Sequence, residues 1–316
     1  MYIKILHIHA SVMITIIGAG KVGSNVALQT AMRELDDILL LDVIKGLPQG
    51  EAMDISHLLA EQGRDVKVKG SNDYSDIRGS DIVVITAGVG RRPGMTRMDL
   101  LNTNMGIVRD VANKVREYAN DSIVVTVTNP LDAMTFVVAK VTGFKRERVM
   151  GMGNMLDLSR FKEFIAEELR VSRRSINALV IGEHGENMLP LIRYSSIAGI
   201  PLNILLSREK AKELITKTRG VAAEVIALKG ATIYAPANAV AGMLDAIVND
   251  RREVMPICAV LDGEYGYRDV SIGVPAIIGR NGIERIIELE LDEEEDRIFK
   301  QGVTAVQDAI KSIQVT

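Results

Sequence analysis

The sequence is poor in the residues that several common kinds of site require. It has one cysteine, Cys258, four histidines and no tryptophan in 316 residues. A single thiol excludes an intrachain disulfide and a zinc site built from several thiolates. One cysteine is also typical of a reducing compartment, so we expect a cytoplasmic protein.

Charge and hydropathy exclude two further classes of protein. The chain has 38 Lys and Arg against 41 Asp and Glu, a net charge of -3, and only 4% aromatic residues. Nucleic-acid binding needs a clustered positive surface and benefits from aromatic stacking, so we expect no nucleic-acid partner. No apolar run approaches the roughly 18 residues of a bilayer span, so we expect no membrane contact. At roughly 150 residues per domain, the length predicts about two domains.

The first twelve residues are apolar but carry neither a basic cluster nor a small-residue cleavage site. We therefore predict no export signal and interpret residues 1–12 as an N-terminal extension. His7 and His9 alternate along it and would share one face of a strand, which leaves a metal pair as an alternative. An ordinary tail is favoured, and we expect no metal site.

From Met13 onward, short β-branched runs alternate with segments of helical spacing. This alternation predicts an α/β fold with a Rossmann-type parallel sheet over residues 13–155. After residue 155 the rhythm changes, which predicts an α+β substrate domain over residues 156–316, with a cleft between the two. The predicted strands of the first domain are 13–17, 37–41, 65–68, 81–86 and 122–127, and its helices are 22–34, 47–61, 99–119 and 131–142. Beyond it we predict helices at 156–169, 208–249 (broken) and 291–312, with strands at 176–181, 188–194 and within 255–279.

A glycine-rich segment, G-A-G-K-V-G, joins the first strand to the first helix. Gly18 permits a tight turn, Gly20 allows a pyrophosphate to approach the backbone, and Gly23 allows the helix to pack on the strand. The unpaired N–H groups of the helix N-terminus then face the phosphates. A purely structural turn is the alternative. The predicted cofactor contacts in this loop are Gly18, Ala19, Gly20, Lys21, Val22 and Gly23.

Asp42 ends the second strand, at the position where a carboxylate accepts the ribose hydroxyls of adenosine. It would repel a 2′-phosphate, and Val43 and Ile44 offer no cation to neutralise one. The sequence therefore favours NAD over NADP as cofactor. A simple residue of a turn at the strand end is the alternative.

His184, in G-E-H-G after an apolar strand, is the favoured acid/base residue. His57 falls on a predicted helix and is interpreted as an ordinary partly buried or interface histidine. Asp157 and Arg160 are three residues apart on a helix and share one face, either toward the cleft or as a surface ion pair. An aspartate bonded to one ring nitrogen of His184 would fix its tautomer while the other nitrogen takes a proton.

Two loops after strands complete the candidate site. The first, A-G-V-G-R-R-P-G-M-T-R, follows the fourth strand at the sheet edge where α/β proteins bind ligands. It carries Arg91, Arg92 and Arg97, of which Arg92 is interpreted as a solvated surface residue. The second loop contains Asn129 in V-T-N-P, where a simple Asn–Pro turn is the alternative.

These motifs occur in the order and with the gaps of the malate/lactate dehydrogenases, and from Met13 onward the chain resembles that family, most closely its lactate-dehydrogenase-like malate dehydrogenases. The resemblance implies reversible oxidation of malate to oxaloacetate with NAD, a step of the tricarboxylic acid cycle, by a homodimer or homotetramer. Helix 47–61 is a candidate contact surface between copies.

The resemblance also implies roles for individual residues. His184 would accept the proton, oriented by Asp157, and Arg160 would hold the C1 carboxylate of the substrate. Arg97 would polarise the reacting carbonyl, and Asn129 would touch both substrate and nicotinamide ribose. Further cofactor contacts are implied for Asn104, Val127 and Thr128.

Arg91 is implied to select the substrate, because malate-type members carry arginine where lactate-type members carry glutamine. A dianionic substrate needs a cation at each carboxylate, which supports this assignment. Thr232 occupies a pocket position where threonine is lactate-like, so lactate or another 2-hydroxy acid is the alternative substrate. An NAD-dependent glycosidase is a more distant alternative, since that family uses a metal near cysteine and histidine and Cys258 has no histidine near it in sequence.

Overall fold

A computed structural model describes residues 13–90 and 95–313. The N-terminal extension with His7 and His9, and Arg91 and Arg92 of the arginine loop, lie outside the described residues. The strands are β1 Ile14–Ile17, β2 Ile38–Leu41, β3 Val68–Ser71, β4 Ile82–Ile85, β5 Ile123–Thr126, β6 Val149–Gly151, β7 Ile176–Asn177, β8 Val180–Gly182, β9 Met188–Pro190, β10 Ser196–Ile197, β11 Ile200–Pro201, β12 Glu253–Asp262, β13 Arg268–Gly279 and β14 Gly282–Ile286. The helices are α1 Lys21–Ala31, α2 Leu47–Glu61, α3 Arg97–Tyr118, α4 Leu131–Thr142, α5 Met155–Leu169, α6 Leu202–Leu205, α7 Arg208–Lys229, α8 Tyr234–Val248 and α9 Glu293–Ser312.

One sheet runs through both halves of the chain. Its first six strands are parallel in the order β3-β2-β1-β4-β5-β6, and antiparallel strands continue it as β12-β13-β8-β9, with β14 on β13. The parallel order reverses between β1 and β4, and ligands of open α/β sheets bind at such a reversal, outside the carboxyl ends of the strands. The Rossmann-type sheet predicted from the sequence is confirmed.

The central strands are buried because helices cover both faces of the sheet. Every residue of β1, β2, β4 and β5 is buried, as expected for parallel strands with near-continuous apolar sequences. Alternate residues point to opposite faces, so Ile16 and Ile17 belong to two different apolar clusters. The sheet is therefore a rigid frame for the loops at its edge.

Some predicted elements have different limits in the structure. The third strand is Val68–Ser71 rather than 65–68, because the polar end of this edge strand pairs with β2. The predicted strand 176–181 is divided into β7 and β8, which belong to different sheets. The broken helix 208–249 consists of α7 and α8, at 119° to each other. Strands β6 and β14 were not predicted.

No single helix in residues 13–90 and 95–313 combines the length and the apolar character of a membrane span. Helices α7 and α8 meet those criteria only when taken together, across the sharp bend between them.

Candidate active site

The glycine loop between β1 and α1 is shaped by close backbone contacts. Gly18 has a φ of +106°, and a Cβ atom there would lie 2.7 Å from the Ala87 nitrogen. A Cβ atom on Gly23 would lie 1.8 Å from the Gly18 carbonyl oxygen. The Thr86 hydroxyl donates a hydrogen bond to that same carbonyl, over 2.8 Å. Gly18 and Gly23 thus allow the loop, the helix and β4 to pack without side chains between them.

Gly20 differs from these two glycines because it faces open space. A Cβ atom there would meet no protein atom within 4 Å. Gly20 is also the N-cap of α1, and no side chain caps the helix N-terminus. The N–H groups of the first turn therefore remain available to an anion, and Lys21 beside them is exposed. This loop fits the diphosphate of a dinucleotide.

Asp42 connects the glycine loop to the turn after β2. Its Oδ2 accepts a hydrogen bond from the Ala19 N–H over 2.7 Å, and its Oδ1 accepts one from the Ile44 N–H over 2.9 Å. Each carboxylate oxygen retains a second lone pair for a ribose hydroxyl. The Asn72 amide, which was not identified from the sequence, donates to the carbonyls of Asp42 and Ile44. Asn72 thereby holds the turn in shape.

Asn104 of α3 forms hydrogen bonds to two loops of the candidate site. It is fully buried, and its amide nitrogen donates to the Asn129 carbonyl over 2.6 Å and to the Val89 carbonyl over 3.1 Å. Its amide oxygen accepts from the Val89 N–H over 2.8 Å. The described partners of Asn104 are backbone groups, and the cofactor contact implied for it stays a prediction. Asn104 ties the loop after β4 to the loop after β5.

The other predicted residues of these two loops lie at the carboxyl edge of the sheet. Val127 and Thr128 are buried, and the Thr128 hydroxyl donates to the Ala87 carbonyl over 2.7 Å. Asn129 is exposed at the start of the loop before α4. Arg97 is the first residue of α3, but its side chain is outside the described part of the molecule.

His184 and Asp157 form a buried pair. The Nδ1 atom of His184 lies 2.7 Å from Oδ2 of Asp157, whose side chain is 0% exposed, and the His184 side chain is 11% exposed. An ionised Asp157 requires a proton on Nδ1, which leaves Nε2 of a neutral ring as the acceptor. The structure thus brings together the two residues chosen from the sequence for acid/base chemistry.

Arg160, three residues after Asp157 on the same face of α5, completes the cluster. Its guanidinium donates to Oδ1 of Asp157 over 3.2 Å and to the Thr232 hydroxyl over 3.4 Å. The Arg160 side chain is 12% exposed, so this is not the surface ion pair considered as the alternative. Two of its five N–H donors are directed at these partners, and others remain for a carboxylate ligand.

The sheet explains how residues 27 positions apart in sequence meet. Asp157 lies in the first turn of α5, just after β6, and His184 follows β8. Strands β12 and β13 lie between β6 and β8. A Cβ atom on Gly273 of β13 would lie 1.7 Å from Oδ1 of Asn154 and 2.6 Å from the Gly182 carbonyl, so only glycine allows this approach.

The charges of the cluster shift the pKa values of its members. Burial lowers the pKa of His184, but the Asp157 carboxylate, by charge and by hydrogen bond, outweighs it and raises the net pKa. Burial raises the pKa of Asp157, but His184 and Arg160 outweigh it and lower the net pKa. Charged Asp157 and protonated His184 therefore stabilise each other.

A second carboxylate, Asp132, contacts His184 and was not predicted. Its Oδ2 accepts the backbone N–H of His184 over 2.7 Å. Asp132 lies in the first turn of α4, and burial raises its pKa to about 6. The sequence signal that would have found it is its position three residues after Asn129, at the same edge of the sheet.

Two further side chains singled out in the sequence are His57 and Cys258. His57 is exposed on α2. Cys258 is a buried free thiol. No group of three or more metal-ligating side chains occurs in residues 13–90 and 95–313.

Two family models match nearly the whole chain. The first is described as the lactate/malate dehydrogenase NAD binding domain and matches residues 12–151. The second is described as the lactate/malate dehydrogenase alpha/beta C-terminal domain and matches residues 154–315.

Known proteins are similar over the same length. Malate dehydrogenase from Aeropyrum pernix is 48% identical over 95% of this chain and 98% of its own, and its structure superimposes with a TM-score of 0.92. Malate dehydrogenase from Cryptosporidium parvum has a TM-score of 0.94 at 36% identity, over 97% of this chain and all of its own. Lactate dehydrogenase from Cryptosporidium parvum, complexed with lactic acid and NAD, has a TM-score of 0.92 at 38% identity, over 96% of this chain and 98% of its own.

The open space above Gly20 predicts a selective effect of a methyl group there. We expect Gly20→Ala to change the melting temperature by only a few degrees and to weaken NADH binding about tenfold or more, because the methyl group blocks the diphosphate. Gly23→Ala is the matched control and should lower the melting temperature strongly, since its Cβ meets the Gly18 carbonyl. Calorimetry and fluorescence titration with NADH measure both effects. Unchanged NADH affinity in Gly20→Ala would contradict the assignment of the loop.

The coupled pair predicts a pH-dependent stability difference between the wild type and Asp157→Asn. The lowered pKa of Asp157 gives stability that is present above its unfolded value, about 3.9, and is lost as pH falls through the folded pKa. The raised pKa of His184 gives stability that is present below about 6.5 and is lost as pH rises through the folded pKa.

We therefore expect Asp157→Asn to destabilise the fold by about 3 kcal/mol near pH 5–6, and by less toward pH 9. Urea unfolding at several pH values measures this difference. The matched control is Asp121→Asn, at a side chain that is fully exposed, which should give a small difference at every pH. A difference for Asp157→Asn that is equally small, or that grows toward pH 9, would show that the pair is not coupled as described.

Proposed function

This chain belongs to the lactate/malate dehydrogenase family, and we infer that it is an NAD-dependent malate dehydrogenase, which interconverts malate and NAD with oxaloacetate and NADH. Relatives named malate dehydrogenase are 44–48% identical over 95–96% of the chain. The observation that carries the chemistry is the buried hydrogen bond between Asp157 and His184 beside the Arg160 guanidinium. Oxidation of a 2-hydroxy acid needs a proton acceptor next to a cation that binds the carboxylate, and this cluster supplies both.

His184 is proposed to accept the proton of the malate hydroxyl at Nε2. Asp157 holds Nδ1 and stabilises the imidazolium that forms. Proton transfer to His184 contributes roughly 10²–10⁴ in rate. The remaining donors of Arg160 bind the C1 carboxylate and so orient C2 of the substrate. Bound NAD supplies the hydride acceptor, C4 of its nicotinamide.

The chain's contribution to cofactor binding is proposed to come from three places. The first turn of α1, with Gly18, Gly20 and Gly23, faces the diphosphate. Asp42 accepts the adenosine ribose hydroxyls and repels a 2′-phosphate. Asn129 lies at the sheet edge where the nicotinamide ribose is expected.

Malate rather than lactate is proposed to be selected by Arg91, with Arg97 polarising the reacting carbonyl. A second guanidinium near the substrate neutralises the second carboxylate of oxaloacetate but would be left unpaired beside the methyl group of pyruvate. Lactate remains the second candidate substrate for two reasons. Thr232, a lactate-like residue at this position of the pocket, accepts a hydrogen bond from Arg160. A lactate dehydrogenase is also as similar in fold to this chain as the malate dehydrogenases are.

We also propose that copies of this chain associate through α2. Its buried face packs on the sheet through Ala52, Ile55 and Leu59, yet Met53 and Leu58 on the same helix are exposed. Apolar side chains on a solvent-facing helix surface are typical of an interface between subunits. The partner at this surface is a second copy of the chain, in a homodimer or a homotetramer.

We also propose that the enzyme is located in the cytoplasm and serves the tricarboxylic acid cycle.

The substrate assignment predicts a switch in Arg91→Gln. We expect kcat/KM for oxaloacetate to fall by the equivalent of roughly 2–5 kcal/mol, because one buried carboxylate loses its partner, while kcat/KM for pyruvate holds or rises. Steady-state rates with oxaloacetate and pyruvate measure the ratio.

The neighbouring Arg92→Gln is the matched control and should leave the ratio near the wild-type value. A wild-type enzyme that prefers pyruvate, or an Arg91→Gln variant that keeps its preference for oxaloacetate, would overturn the role of Arg91.

The proposed interface predicts that a charge on α2 dissociates the assembly. We expect Met53→Glu to shift the molar mass measured by light scattering from a dimer or tetramer to a smaller species. Glu51→Gln, which changes charge elsewhere on the same helix, should leave the mass unchanged. A monomeric wild type, or an unaffected Met53→Glu, would refute this interface.

A further inference from the structure

Asp132 is a buried carboxylate in contact with the main chain of His184. The residue is 4% exposed, and its Oδ2 accepts the His184 N–H over 2.7 Å, across 52 residues of sequence. The proposed mechanism uses Asp157 on the ring of His184 and gives Asp132 no role. A carboxylate that is buried without a cation in direct contact costs stability when ionised, so its presence beside a reacting histidine calls for an explanation.

The surroundings of Asp132 show how it connects the two sides of the site. Its carboxylate reaches the His184 main chain after β8, and its own carbonyl accepts the Ser271 hydroxyl of β13 over 2.5 Å. It lies in the first turn of α4, three residues after Asn129. Asp132 therefore links the loop of the proton acceptor to the loop expected to face nicotinamide.

The charged and titratable groups around Asp132 are few. The Cys258 thiol of β12 faces the carboxylate, and Glu183 and His184 interact with it from the loop after β8. The His184 ring is affected by Asp157 and Arg160 of α5 and by Asp132. Among the described residues Oδ1 of Asp132 has no hydrogen bond from a nitrogen or oxygen donor, and the Cys258 thiol is a weak donor to the carboxylate, so the negative charge acts on the neighbouring imidazole.

We propose that Asp132 is a second positioning residue of the reaction, which fixes the main chain of His184 and adds negative charge that stabilises the protonated imidazole. Asp157 sets the tautomer of the His184 ring, and Asp132 sets the position of the ring relative to the loop that carries Asn129. The inference rests on the proposed function, since it takes His184 as the proton acceptor.

The titration of Asp132 gives this arrangement a pH dependence. Burial raises the pKa of Asp132 to about 6, and the charge of Asp132 is one of the causes that raise the pKa of His184. Because the folded pKa of this carboxyl lies above its unfolded value, its ionisation costs stability that is absent below about pH 4 and complete above about pH 6. The charge is thus present at neutral pH at the expense of stability.

The variant Asp132→Asn tests the proposal, because its amide oxygen can still accept the His184 N–H while the charge is lost. Histidine labelled with ¹³C reports the ring directly, since the chain has only four histidines. We expect the His184 titration midpoint to fall by about one pH unit, which corresponds to the loss of one nearby charge. The melting temperature at pH 8 should stay the same or rise. In steady-state assays the pH limbs of kcat/KM for malate and for oxaloacetate should both move to lower pH, with NADH affinity unchanged.

Ser271→Ala is the matched control, because it removes a hydrogen bond to Asp132 without changing charge. It should lower the melting temperature and leave the His184 midpoint where it is. A His184 midpoint that is unchanged in Asp132→Asn, or that moves equally in Ser271→Ala, would overturn the proposal.

A measurement on the wild type covers the case in which Asp132→Asn does not fold. The His184 signal should show a second inflection near pH 6, where Asp132 titrates, besides its own. A single inflection with a His184 midpoint at or below the ordinary value of about 6.5 would overturn the proposal, because the protonated ring would then gain nothing from the charge. These titrations are made without substrate, so their failure is distinct from a failure to oxidise malate, which would refute the proposed function itself.

Discussion

The site depends on one buried hydrogen bond, between Oδ2 of Asp157 and Nδ1 of His184. In water such a pair contributes little, but burial removes competing solvent and makes the carboxylate decide which ring nitrogen carries the proton. Arg160 balances the second oxygen of Asp157, so the negative charge is held in a fixed direction. The geometry therefore presets Nε2 as the acceptor before any substrate arrives.

This bond exists because of the sheet rather than because of local sequence. The parallel strands bring the loops after β4, β5 and β6 to one edge, and the antiparallel continuation through β12 and β13 brings His184 to the start of α5. Small residues are required where backbones meet, as at Gly273 and Gly23. The side chains of Asn104 and Thr128 then join the cofactor-side loops by donating hydrogen bonds to backbone carbonyls. Rigid elements thus place groups whose chemistry tolerates little displacement.

Much of this arrangement was predictable because its signals are local. The glycine loop, Asp42 and the strands β1, β2, β4 and β5 follow from spacing and from β-branched runs, and helix α4 was predicted with the limits that the structure shows. His184 was chosen as the candidate acid/base residue from its place at a strand end. Other features were not predictable because they depend on distant partners. Strand β6 has three residues and is recognisable only by its pairing with β5 and β12.

The buried polar residues show the same limit. The family resemblance implied a cofactor contact for Asn104 of α3, but only the structure shows that its amide satisfies backbone groups of residues 89 and 129. Asp132 and Asn72 were missed because a carboxylate or an amide after a strand gives no sign of which main-chain group it will bond. A buried polar side chain is explained only when its partners are known.

We propose that Asp157 directs the free ring nitrogen of His184 at the reacting oxygen of the substrate. A crystal structure of the complex with NADH and a non-reacting dicarboxylate analogue of oxaloacetate tests this most directly. We expect Nε2 within hydrogen-bond distance of the C2 oxygen substituent, Nδ1 still bonded to Asp157, and the C1 carboxylate bound to Arg160. A ring turned so that Nε2 faces protein, or a substrate carboxylate bound away from Arg160, would contradict it.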